Sequence, residues 1–291
     1  MTISCDGLDL RVWDHGEEED DLPRALFVHG YLDTGRSFDR VAAALKGRVR
    51  ALCLDWRGHG QSQWAPGGAS YHLLDHIKDL TRVLRHFKAL GSGCDLLVAH
   101  SMGANIALMT AGACPKLVSR LLLLDGFGPP AEDPALQPQR LGRVLQSMDR
   151  ARPFRSFESR EEAAQRMVDS NYGLSGEGAR FMARHLVEED PLSPGQWVFK
   201  LDPRLRGPTP VRYPEQTWLT FFERARGPVR LLRAEGGYVA ETETFRRRVE
   251  ACGAAVVNVS GASHHLHVDR PDAVAAQVLD MLSDHSPDLV A

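Results

Sequence analysis

Along most of this chain, short apolar runs alternate with stretches in which apolar residues recur every three or four positions. Residues 8–13 alternate apolar with polar side chains, as a half-buried strand does. Residues 25–28, 49–54, 96–98 and 118–124 are continuous apolar runs, the signature of strands covered on both faces. Helical periodicity fills the gaps at 38–45, 71–90 and 105–113. The longest of these sets Leu73, Leu74, Ile77, Leu80, Val83, Leu84 and Phe87 at spacings of one, three and four. Toward the end come a helix over 215–224, a strand over 229–233, a helix over 242–251, a strand over 255–259 and a helix over 271–282. Such alternation predicts an α/β fold with a mostly parallel sheet covered by helices on both faces.

The pattern breaks between residues 129 and 210. That segment is rich in Pro, Arg and Glu, and its periodicity predicts helices over 139–149, 160–170 and 176–187 with no strand. The expected organisation is a core of 1–128 and 212–291 with a helical insertion over the sheet at 129–211. The acidic run at 17–21 is expected as a solvated loop, and Arg246-Arg247-Arg248 as the exposed face of a helix.

Composition narrows the function classes. The chain has 291 residues, is 43% hydrophobic and carries a net charge of -3, so no basic stripe invites nucleic acid. No apolar run reaches the ~18 residues of a membrane helix, and the first residues lack a basic and an apolar signal segment. Cys5, Cys53, Cys94, Cys114 and Cys252 are dispersed, as free thiols of a reducing compartment would be. A cytoplasmic protein acting on a small molecule is expected.

Ligands of doubly wound sheets bind where the strands end, and chemistry-bearing residues stand there. Leu97-Val98-Ala99-His100-Ser101-Met102-Gly103-Ala104 reads as a strand, a sharp turn and a helix, with small residues flanking Ser101. This resembles the Gly-x-Ser-x-Gly nucleophile elbow with Ala99 in place of the first glycine. The plain alternative is a serine that only caps a helix. A neutral hydroxyl needs a base to act as a nucleophile. His264, which follows the 255–259 strand through Gly261-Ala262-Ser263, can supply one. His265 and His267 are expected to be packing or rim residues. A metal cluster in this histidine run finds no second ligand group with metal-type spacing, so no metal or cofactor is expected. Asp125 closes the 118–124 strand and is favoured to orient His264. Glu235, after the 229–233 strand, is the alternative acid, because Gly237 stands where an Asp would be expected. The backbone N–H groups of Met102 and of Tyr31 are the candidate oxyanion hole.

Further motifs extend the pattern. They are His29-Gly30-Tyr31-Leu32-Asp33 with Ser37-Phe38-Asp39, then Asp55-Trp56-Arg57-Gly58-His59-Gly60-Gln61-Ser62, Leu124-Asp125-Gly126-Phe127-Gly128-Pro129, and Asp202-Pro203-Arg204-Leu205. With Pro66-Gly67, Tyr71 and the 261–271 stretch, the chain resembles α/β-hydrolases of the serine hydrolase-like group over nearly its whole length. The resemblance implies a helical cap, and by analogy with members lacking a later Asp it favours Asp125. The activity so implied is hydrolysis of a carboxylic ester, thioester or lactone through an acyl-enzyme on Ser101. Fold does not fix chemistry, so C–C or amide bond hydrolysis, or a non-catalytic or slow-turnover receptor, are the alternatives. Phe154, Phe157, Tyr172, Phe181, Trp197 and Phe199 line a cap pocket or pack the cap's own core.

Overall fold

The continuous apolar runs make the centre of an eight-stranded sheet. The computed structural model describes residues 1–16, 21–69, 71–91, 93–147, 153–170 and 173–283. The expected acidic loop at 17–21, Tyr172 and the end of the 139–149 helix therefore lie wholly or mostly outside the described residues. Among those residues the strands are β1 (Thr2–Cys5), β2 (Leu8–Asp14), β3 (Arg24–Val28), β4 (Arg50–Leu54), β5 (Leu96–His100), β6 (Leu121–Leu124), β7 (Val187–Glu189), β8 (Trp197–Phe199), β9 (Val229–Gly236) and β10 (Ala255–Ser263). The helices are α1 (Asp39–Leu45), α2 (Leu73–Ala89), α3 (Met102–Ala113), α4 (Gln137–Ser147), α5 (Arg160–Asp169), α6 (Gly176–Leu186), α7 (Glu215–Arg224), α8 (Glu243–Cys252), α9 (Leu266–Asp269) and α10 (Pro271–Ser283).

The sheet order is β1-β2-β4-β3-β5-β6-β9-β10. β2 runs antiparallel to β1 and β4, and the remaining pairs are parallel. Successive residues of the central strands point to opposite faces, and both faces are buried. Leu26, Val28, Leu97, Ala99, Leu121 and Leu123 join one apolar cluster with Leu80 and Val83 of α2, Ile106 of α3 and Trp218 of α7. Phe27, Val98, Leu122 and Leu124 join the other, with Val41 and Leu45 of α1 and Val274 and Val278 of α10. That is why these strands read as unbroken apolar runs rather than as alternation.

Three features depart from the sequence reading. The edge strand β1 was not expected. Its signal is present in the alternating burial of Ile3 and Cys5 and in the Asp6-Gly7 turn, where both residues take positive φ (51° and 80°), as a two-residue hairpin requires. The segment between β6 and α7 does carry strands: β7 and β8 pair antiparallel directly after α6 in the chain. They are three residues each, too short to show a period. That segment has its own core of Phe157, Ala163, Met167, Met182 and Leu186, with Val268 of α9 packed into it. Finally, Arg248 is not on an exposed face. It is buried, and its guanidinium donates to both carboxylate oxygens of Glu215 and to the carbonyls of Phe127 and Pro129. It thus clamps the chain just after Asp125. No helix of the described residues is long and apolar enough to cross a membrane.

Candidate active site

The turn at Ser101 is set by what surrounds it. Ser101 has φ 50° and ψ -113°, a conformation that costs an L-residue roughly 1–3 kcal/mol and holds only where neighbours over-determine it. They do. Its N–H donates to the Leu124 carbonyl at 3.0 Å, and its carbonyl accepts from Asn105 as α3 begins. A β-carbon at Gly103 would lie 2.6 Å from the carbonyl oxygens of Val28 and His29, and one at Gly126 would lie 2.6 Å from that of Ser101. Ala99 and Ala104 are fully buried, so a methyl is accommodated at both positions.

His264 follows the end of β10 and is nearly buried. Its Nε2 lies 3.0 Å from Ser101 Oγ, and its Nδ1 lies 2.6 Å from Asp125 Oδ2. A carboxylate can only accept here, so Nδ1 carries the proton and Nε2 presents its lone pair to the hydroxyl. Asp125, directly after β6, also has positive φ (41°) and is buried. The same Oδ2 accepts the backbone N–H of Tyr238 at 2.8 Å. The Tyr238 ring stacks on the His264 imidazole with centroids 4.0 Å apart, although Tyr238 is otherwise exposed. Glu235 points elsewhere: its Oε2 accepts the N–H of Gly261 at 2.8 Å on the exposed rim.

The structure gives Gly237 a reason for being glycine. A β-carbon there would collide with both carboxylate oxygens of Asp125. The position that sequence reasoning read as a missing acid is the space that Asp125 fills.

Met102 directly follows Ser101, and Tyr31 directly follows Gly30. Met102 is the first residue of α3. The loop carrying Tyr31 presses on the elbow, since a β-carbon at Gly30 would lie 3.2 Å from Ser101 Cβ. Buried His29, which the sequence reading quotes in a motif without giving it a role, ties that loop down. Its Nε2 accepts the Trp56 N–H at 3.1 Å, its Nδ1 donates to the Gly30 carbonyl at 2.8 Å, and its own carbonyl accepts from Trp56 Nε1. Burial lowers the His29 pKa, which keeps the ring neutral and able to play both roles. Its signals in the sequence are its place after β3 and its membership of the His29–Asp33 motif.

His265 and His267 are buried, so they pack and do not form a rim. Burial pushes His265 down to about 3. His100 is also buried, and burial with the imidazoles of His267, His264 and His265 drives its pKa well below the ordinary value. Its Nε2 donates to the His264 carbonyl at 2.9 Å, which fixes the backbone from which His264 projects.

The segment between β6 and α7 stands against these strand ends. Tyr31 Oη donates to the Leu205 carbonyl, Ser263 Oγ to the Gly173 carbonyl, and Ser175 Oγ to Asp269 Oδ1 at 2.6 Å. Of the aromatic residues expected there, Phe157 is buried, and Phe181, Trp197 and Phe199 pack against the segment's own core. Phe154 meets Phe199 edge to face. These contacts are internal packing.

Residues 25–277 match the alpha/beta hydrolase family. The chain is 28% identical over 276 residues to a serine hydrolase-like protein of Danio rerio, covering 90% of this chain and 82% of that protein. It is 29% identical over 236 residues to a 3-hydroxybutyrate-oligomer hydrolase of Cupriavidus necator, covering 78% and 77%. Among solved structures, a hypothetical protein from Pseudomonas aeruginosa PAO1 superposes with a TM-score of 0.84 at 31% identity, covering 97% of this chain and 96% of that one. A thioesterase domain from the curacin biosynthetic pathway shares the fold, with a TM-score of 0.82 at 24% identity over 96% and 98% of the two chains.

Proposed function

The chain belongs to the alpha/beta hydrolase family, and from that premise we propose that it is a serine hydrolase cleaving a carboxylic ester, thioester or lactone. One observation carries the reading: the His264 imidazole bridges Ser101 Oγ and the buried Asp125 carboxylate. His264 Nε2 takes the hydroxyl proton as Oγ attacks the carbonyl carbon. Asp125 holds the ring in the required tautomer and offsets the positive charge it gains. The Met102 and Tyr31 N–H groups receive the charge on the tetrahedral oxygen, each donor worth about 3 kcal/mol in enzymes of this kind. His264 then returns the proton to the departing alkoxide or thiolate. Water repeats the cycle on the acyl-Ser101 ester.

Acyl–oxygen and acyl–sulfur bonds suit this machinery because an alkoxide or thiolate leaves more readily than an amide or carbon anion once His264 returns its proton. The Cupriavidus necator relative, named for hydrolysing 3-hydroxybutyrate oligomers, supports the same class. Residues 129–211 act as a cap that sets substrate size, while the strand ends carry the chemistry.

The test is a fluorophosphonate probe followed by a panel of esters, thioesters, lactones and amides. The probe should label Ser101, and Ser101→Ala should lose both labelling and turnover. Turnover confined to amides or to C–C substrates would reassign the reaction. Labelling without turnover of any substrate would indicate a receptor.

A further inference from the structure

A second cluster of functional groups lies behind the nucleophile, and the proposed hydrolysis does not use it. Asp33, His100, His265 and His267 are all buried, and one ligating atom from each lies within 4.8 Å of the others. They come from three places: the loop after β3, the end of β5, and the start of α9, with His265 just before it and His267 within it. Sequence reasoning set a metal aside because the 264–267 histidines had no second ligand group nearby in the chain. The fold supplies that group from residues 33 and 100.

The protonation pattern points to a cation. A backbone carbonyl only accepts, so the contact from His100 Nε2 to the His264 carbonyl places the proton on Nε2. His100 Nδ1 is then a bare lone pair. It is buried, has no hydrogen-bond partner, and faces Asp33 Oδ2 at 3.9 Å. His267 Nε2 approaches the same oxygen at 3.7 Å and Ser37 Oγ at 3.1 Å. Separations near 3.5 Å are those between neighbouring ligands of a tetrahedral ion with bonds of about 2.1 Å. Asp33 Oδ1 accepts from the Thr34 N–H, and Oδ2 accepts from Ser37 Oγ. Among the described residues, its ion-pair contacts are imidazoles, with no Lys or Arg. His100 Nδ1 and Asp33 Oδ2 face each other with no proton between them, and a metal ion would bind both while displacing the proton that His267 Nε2 donates to Ser37 Oγ. The outward contact of His100 to a backbone carbonyl is also what orients a ligating imidazole.

We propose that Asp33, His100, His265 and His267 form a binding site for one divalent transition-metal ion of the zinc type. The site is separate from Ser101–His264–Asp125 but joined to it, because His100 precedes Ser101 and holds the His264 carbonyl. An ion there would brace the backbone beneath nucleophile and base, and it takes no part in bond cleavage.

The test uses cobalt as a spectroscopic probe. Full-length protein is stripped with chelator, then incubated for a long period or refolded with Co²⁺, since the buried site opens slowly. One equivalent should remain after desalting, with an intense visible band of four-coordinate cobalt that Zn²⁺ abolishes. His264→Ala and Ser101→Ala should keep the band. Asp33→Asn and His267→Gln should each lose it while retaining the native circular dichroism spectrum. Less than a fifth of an equivalent in folded wild-type protein overturns the proposal, whatever the variants do. So does a sulfur-to-cobalt charge-transfer band, which puts the ion on a cysteine. Loss of the band in His264→Ala overturns it too, by placing the ion in the hydrolytic site. Because the readout is metal binding, it stands or falls independently of ester turnover.

Discussion

Replacing Asp125 by Asn is the sharpest perturbation of the proposed mechanism. The carboxylate oxygen that meets His264 Nδ1 at 2.6 Å also accepts the Tyr238 N–H at 2.8 Å. An Asn carbonyl placed there preserves both contacts but buries its NH₂ where Asp125 Oδ1 has no hydrogen-bond partner. The opposite orientation aims two N–H donors at two donors and forces the wrong imidazole tautomer. In either case the negative charge facing the imidazolium is gone. With charge centres about 4 Å apart and an effective dielectric near 20, that attraction is ~4 kcal/mol. Lost in the transition state alone, it corresponds to about a 10³-fold drop in kcat. Glu235→Gln, which alters only a rim contact to Gly261, should stay within about twofold of wild type. Initial rates on a chromogenic ester, with Tm checked for each variant, measure both. A second arm moves the acid: Asp125→Gly with Gly237→Asp roots a carboxylate on the neighbouring strand and should recover at least tenfold over Asp125→Gly alone. Asp125→Asn retaining a tenth of wild-type activity while Glu235→Gln collapses would refute the reasoning.

Other expectations follow from particular contacts. Burial, then Arg57 and neighbouring imidazoles, push His76 down to about 3, below its unfolded value of ~6.5, so unfolding takes up a proton and stability falls as pH drops below ~6.5. Urea unfolding of His76→Gln should therefore show a loss between pH 7 and pH 5 smaller than wild type by roughly 2 kcal/mol, and an unchanged loss would count against a neutral buried ring. Gly237→Ala should displace the Asp125 carboxylate and cut kcat by about tenfold or more, whereas Gly236→Ala, where a β-carbon has 3.4 Å of room, should be near neutral in the same ester assay. Tyr238→Ala uncovers one face of His264 and should lower kcat/KM by about 5- to 10-fold, with Tyr238→Phe within twofold; equal losses in the two would exclude the stacking role. Trp197→Ala should lower Tm and affect all esters alike, because Trp197 packs within its own segment; a selective change in acyl-chain preference would place it in the substrate pocket.

The parallel core was legible because burial on both faces leaves a mark in the sequence: unbroken apolar strands and a helix whose apolar residues recur at three and four. The elbow was legible for a similar reason, since close backbone approach at Gly103 permits only the smallest residues. Elements held by few residues or by remote partners left less trace. β7 and β8 are too short for a period, and Arg248 sits in a run of three arginines whose members differ only in where Glu215 and the Phe127 carbonyl lie. In the sequence His265 and His267 form one run with His264, while Asp33 and His100 lie far from it. What unites them is the adjacency of β5's end, the loop after β3 and the start of α9, which no local window contains.

Asp125 and Glu235 were close competitors in the sequence because both end strands on the same edge of the sheet. β6 and β9 are hydrogen-bonded neighbours, with Leu124 opposite Leu232 and the Asp125 N–H donating to the Leu232 carbonyl. A carboxylate rooted just past either strand can therefore reach the same region beside His264. Two acids cannot share it, since a side chain at residue 237 would occupy the volume of the Asp125 carboxylate. The informative residue was neither candidate acid but the glycine facing them. Read as a sequence, Gly237 marks a missing acid; in the fold it is the space that lets the acid on the adjacent strand stand against the imidazole. A glycine where a functional residue is expected can thus indicate which neighbouring strand supplies that residue.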